Sequence, residues 1–191
     1  MKNIIIIIMM SISFIGYSQT NCKFTKNEID DMTGEKVVIS KSFLMCVEFM
    51  GLGLHLTPKQ INDKYILNFS FSYPRSFSMS EEDKIILKLE NDELINLSIN
   101  KNFNSEEEEI FTGSGYTTLY EGNVDIEITK EQLEKLSVNK LSKLRIYFSE
   151  GFDSVHNKVS KKWIEGFWEK DNFSSNKLKK LMKEVNCLLS I

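Results

Sequence analysis

The chain has 191 residues, with 24 lysines and arginines against 27 aspartates and glutamates, for a formal net charge of −3. This length suits one domain with a sizeable core. The mildly acidic balance, with Arg75 and Arg145 the only arginines and the lysines scattered among acids, excludes the clustered basic face that nucleic acid or an anionic membrane surface would require.

The first eighteen residues have the layout of a secretory signal peptide. Lys2 supplies a positive start, Ile4 to Ile15 form an apolar run, and Gly16 and Ser18 place small side chains before Gln19. The run falls short of the roughly 20 residues that a spanning helix needs. The expected mature chain, 19–191, has 173 residues and a net charge of −4, since Lys2 is the one charge removed. It is expected to work in the periplasm or medium, as a single β-rich domain without a membrane span.

Thr20 to Glu35 is polar and ends in a turn-like Met32-Thr33-Gly34-Glu35. Period-two patterns follow at Val37 to Ser40 and in the apolar run Phe43 to Met50. Gly51 and Gly53 then predict a hairpin or bulge. Leu52, Leu54 and Leu56 alternate as far as Pro58, where a central strand is expected to stop. The clearest strand is Lys64 to Tyr73, with Tyr65, Leu67, Phe69, Phe71 and Tyr73 on one face. Ile85, Leu87 and Leu89, a turn at Glu90 to Glu93, and Ile95, Leu97 and Ile99 form a hairpin. Residues 100–116, with Glu106 to Glu109 and Gly113-Ser114-Gly115, read as a long, mobile loop. Tyr116 to Tyr120 and Val124 to Ile128 read as separate strands.

Thr129 and Gln132 have capping-box spacing at the start of a short helix that carries Leu133 and Leu136. Leu144, Ile146 and Phe148 restore strand periodicity, and Phe152 to Val159 is a last strand candidate. Val159, Trp163 and Phe167, like Ile164 and Trp168, have helical spacing. A final helix, capped by Ser174 or Ser175, carries an apolar stripe from Leu178 to Leu189. The expected class is α+β and mainly antiparallel β, a sandwich or partly open barrel with the C-terminal helix packed on the sheet.

Two stretches occur together: Cys22-Lys23-Phe24 leading to Asn27, Asp30, Thr33 and Gly34, and Thr129-Lys130-Glu131-Gln132 followed by Arg145-Ile146-Tyr147. This order resembles a family of small secreted domains of unknown function from Gram-negative bacteria. The resemblance spans most of the mature chain and implies an exported α+β domain, with no activity, cofactor or catalytic residue attached.

Export would place Cys22, Cys46 and Cys187 in an oxidising compartment, where one disulfide can form and one thiol is left over. Cys46 lies in an apolar run and suits a buried thiol. Cys22 with Cys187 is the favoured pair, closing a loop worth roughly 4–5 kcal/mol in the chain-entropy model, although spacing alone does not fix connectivity.

No catalytic constellation emerges. Ser154, His156 and Asp153 are strand neighbours that alternate faces, whereas triad partners come from distant segments. Gly113-Ser114-Gly115 lacks the nucleophile-elbow context. His55 reads as a polar-face residue. Zinc spacing is missing, and Asp30-Asp31 and Glu106 to Glu109 lack the calcium-loop order, so no metal and no cofactor is expected. Trp163, Phe167 and Trp168 could form an aromatic contact surface for a protein or glycan, set against the plainer reading that they fill the interface between helix and sheet. The expected function is an exported, non-enzymatic binding domain. The alternatives are a hydrolase using a carboxylate pair assembled in three dimensions and a structural or inhibitor-like protein that acts through a sheet edge.

Overall fold

The ten-residue alternation of Lys64–Tyr73 forms β5, the strand about which the main sheet is built. In the computed structural model, residues 22–47, 53–113, 115–149 and 167–191 are described. The signal-like segment, Gly51, Ser114, the Phe152 to Val159 strand, His156 and Trp163 lie outside the described residues.

The elements preceding β5 are β1 (Lys26–Ile29), β2 (Lys36–Ile39), β3 (Phe43–Val47) and β4 (Gly53–Ile61). After it come β6 (Ser78–Met79), β7 (Lys84–Leu89), β8 (Leu94–Ser98), β9 (Phe103–Asn104), β10 (Glu106–Thr112) and β11 (Gly115–Ile128). Helix α1 (Lys130–Val138), β12 (Leu141–Tyr147), β13 (Phe167–Asp171) and helix α2 (Ser175–Leu189) complete the order. The main sheet runs β1-β2-β4-β5-β11-β10, with β3 also on β4, and curls into a half-barrel. A second sheet runs β13-β12-β7-β8, and β6 pairs with β9. All of these pairings are antiparallel. The fold is therefore α+β and mainly antiparallel β, with the sheet curled but not closed.

Pleating sorts β5 as its pattern predicts. Cross-strand rows such as Leu56–Phe69–Val124 join β4, β5 and β11 on the concave face, and these side chains are buried. The convex face is polar. There Asp125 accepts from Lys59 Nζ at 2.9 Å and from Asn68 Nδ2 at 2.6 Å. The second sheet contributes Ile85, Leu87, Leu97, Leu144, Ile146 and Trp168 to the same core.

β4 does not stop at Pro58 but runs through it to Ile61. Pro58 O accepts from Ser40 N at 3.0 Å. A strand residue's N–H and C=O point to the same side. The N–H that proline lacks would thus have faced the junction between β2 and β3, and no bond to β5 is lost.

Helix α1 begins as the capping box predicts. Gln132 N donates to Thr129 Oγ1 at 3.2 Å and Thr129 N donates to Gln132 Oε1 at 3.0 Å. Leu133 and Leu136 turn inward. Ser174 caps α2, whose Leu178, Leu181, Val185 and Leu188 are buried. Cys22 and Cys187 are joined by a disulfide with Cα atoms 5.5 Å apart, which staples the segment before β1 to the last turns of α2. Cys46 is buried at a register irregularity between β3 and β4.

An aromatic cluster fills one end of the core. Phe77 meets Phe71, Phe103 and Phe148 with ring centroids 5.6–5.9 Å apart. Gly122 on β11 makes room for it, since a Cβ there would run into the Phe103 ring and lie 3.1 Å from Phe77.

Candidate interaction surface

Four successive glutamates show no apolar alternation, which is why residues 100–116 read as a loop. The partner strand makes them a strand: Tyr116 to Tyr120 is rich in β-formers. β10 and β11 pair in unbroken register from Glu106↔Glu121 to Thr112↔Gly115. Gly115 takes φ 137° at the turn, a value open to glycine. β11 pairs with β5 only from Tyr120 onward. The outer part of the β10–β11 pair therefore projects beyond the main sheet as a two-stranded ribbon. Tyr116 to Tyr120 and Val124 to Ile128 are thus halves of one 14-residue strand, not two strands.

The ribbon ends in an aromatic pair. Phe111 and Tyr116 sit opposite each other, 70% and 77% exposed. Their rings meet edge to face with centroids 5.4 Å apart. Paired rings in water bring a large apolar area and a defined shape to a partner. On the same ribbon face, Glu107 and Glu109 lie opposite Tyr120 and Thr118. The other face carries Glu106, Glu108 and Ile110.

At the ribbon's base an open cleft of about 440 Å³ is lined by Phe103, Glu106, Glu108 and Glu121, among others. Partial burial, then the charge of Glu108 and a hydrogen bond between the two carboxyls, push Glu121 above its ordinary value. Burial and a neighbouring like charge both disfavour the ionised form of Glu121.

Of the predicted aromatic contact surface, Trp163 lies outside the described residues. Phe167 and Trp168 lie on strand β13, where neighbours point to opposite faces, so the helical spacing is not realised there. Trp168, 1% exposed, packs inward in the row with Ile146 and Ile85. It is core, and cannot serve as a contact residue while the fold is intact. Phe167 faces outward, half-buried beneath the Arg145 guanidinium at 4.5 Å. Beside it Glu169 accepts from Lys143 Nζ at 2.9 Å and from Arg145 Nε at 2.8 Å. Partial burial raises the Glu169 carboxyl, but the bonds from Lys143 and Arg145 outweigh it and hold Glu169 below its ordinary range.

His55 is exposed on the convex face. Asp30 is occupied locally: its Oδ1 accepts from Met32 N and Thr33 N at 3.0 and 2.9 Å, which is turn chemistry. Among the described residues, no group of three or more His, Cys, Asp or Glu side chains converges as a metal site. No described helix is long and apolar enough to cross a membrane.

Sequence reasoning passed over Phe111 and Tyr116. The signal was present: β-formers Ile110-Phe111-Thr112 and Tyr116-Thr117-Thr118 flank a Gly-Ser-Gly tripeptide, a hairpin pattern masked by the acidic run before it. No protein-family model, curated protein or solved structure matches the chain.

Proposed function

We propose that the chain is an exported, non-enzymatic binding domain that meets a protein partner outside the cytoplasm through the β10–β11 ribbon. The observation that carries the reading is the exposed Phe111–Tyr116 pair at the end of a projecting ribbon. Export draws its support from the signal-like first eighteen residues, from the resemblance to small secreted domains, and from the Cys22–Cys187 bridge, a bond that persists in oxidising compartments. The test has two parts. Intact mass of the protein from its native host should begin at Gln19. Crosslinking in an envelope extract should capture a partner with the native chain but not with Phe111→Ser/Tyr116→Ser. A mass retaining Met1, or capture indifferent to both aromatics, would refute the proposal.

The Glu108–Glu121 cleft favours a second reading, a hydrolase working through paired acids. Against it, hydrogen-bonded carboxyls lie closer than the roughly 5 Å that glycosidic cleavage requires between its two groups. Turnover of a dye-labelled polysaccharide that is lost in Glu121→Gln would bring this reading forward.

A further inference from the structure

We infer that the outer edge of β10 receives an extended, lysine- or arginine-bearing segment of a partner as an added strand. The inference rests on the ribbon being the contact surface and names what it contacts. β10 ends the strand order of the main sheet, so its outer edge has no partner strand among the described residues. It runs seven residues, Glu106–Thr112, without a register shift. Exposed edges of this kind are usually shortened, bulged, broken by proline or guarded by charged side chains; of these β10 has only the charges, its run of glutamates, which disfavour another acidic edge and favour a basic one. Its backbone is thus open to strand addition, in which main-chain bonds supply affinity and alternate side chains supply selectivity.

Charge decides the occupant. Glu107 and Glu109 stand on one face and Glu106 and Glu108 on the other, all exposed. An added strand with basic residues opposite them gains favourable cross-strand pairs on both faces. A second copy of β10 aligned at its acidic end sets carboxylate against carboxylate, which is unfavourable. Phe111 and Tyr116 then cover apolar side chains at the far end of the incoming segment.

The test uses the full chain and a synthetic peptide of β10's length with four successive lysines followed by valines, so that lysines stand on both faces. One control replaces its lysines with glutamate, and another places proline at its centre. Affinity is read by fluorescence anisotropy, and location by hydrogen exchange. The lysine peptide should bind saturably, slow exchange within Glu106–Thr112, and weaken as salt screens the exposed charges. Changing Glu106 to Glu109 together to Gln should weaken it about tenfold, the combined effect of four exposed cross-strand pairs. Absence of binding, equal binding of the glutamate or proline peptide, or protection at β8 instead of β10 would overturn the inference. Partner capture that still depends on Phe111 and Tyr116 in that event would leave the ribbon as the contact surface and remove only the strand-addition claim.

Discussion

The Cys22–Cys187 bond is separated by 165 residues in sequence, and its effect on stability can be estimated from that loop alone. In the chain-entropy model, closing a loop of this length removes about 17 cal/mol/K from the unfolded ensemble, or about 5 kcal/mol at 25 °C. Cys22→Ala isolates this contribution, because Cys187 is 1% exposed and its packing stays in place. Measured native disulfides in small domains contribute about 2–5 kcal/mol, so a loss of about 4 kcal/mol is expected. With a urea slope of about 2 kcal/mol/M, the unfolding midpoint should fall by about 2 M, and the oxidised native protein treated with reductant should converge on the same value. A midpoint that moves by less than about 0.3 M, with mass showing the bond present in the native protein, would refute the entropic argument. It would mean that the unfolded chain already keeps its ends together.

Gly122→Ala should destabilise by about 1–3 kcal/mol by overpacking, because its Cβ meets the Phe103 ring; an unchanged thermal midpoint would show that the aromatic cluster yields freely. Glu169→Gln should lower stability at pH 7 by about 1–2 kcal/mol, as Lys143 and Arg145 lose a shared acceptor. The folded carboxyl is held below its ordinary value, so its contribution is present above that ordinary value and lost as pH falls through the folded one. The two urea midpoints should therefore converge in acid, and a constant gap would refute the assignment. Glu121 carries the opposite sign. Its folded value is raised, so folding carries a penalty that is full above the folded value, shrinks as pH falls below it and is gone below the ordinary value. Glu121→Gln should thus stabilise the protein at pH 7 and lose its advantage in acid; destabilisation at pH 7 would show that Glu121 serves as an ionised partner there.

Where residues alternate cleanly, as in β5, β7, β8 and β12, the chain's periodicity was enough to place the strands, because one face is buried and one is wet. The helix caps at Thr129 and Ser174 were legible for a similar local reason: each rests on side chains within a single turn. Pro58 and β10 were misread because their strand character comes from neighbours distant in sequence. Pro58 is tolerated by the direction its missing N–H would face, a property of the β2–β3 junction. The glutamates of β10 are extended by pairing with β11, against their own propensity. Phe167 and Trp168 failed for the converse reason. Their helical spacing to Val159, Trp163 and Ile164 is real in sequence, but the sheet pairs them with β12 instead.

The unbroken β11 has a consequence for how the ribbon meets anything. Its 14 residues span about 46 Å, carrying Tyr116 at the outer end and Val124, Ile126 and Ile128 in the core. A slip of one residue would send those three to the wet face and draw Asp125 and Glu127 inward. The core therefore fixes the register of the outer ribbon as well, and with it the direction in which Phe111 and Tyr116 point. A surface held this way sacrifices little freedom on association. Differences in affinity among its ligands should then arise in how fast they leave, with arrival rates nearly constant.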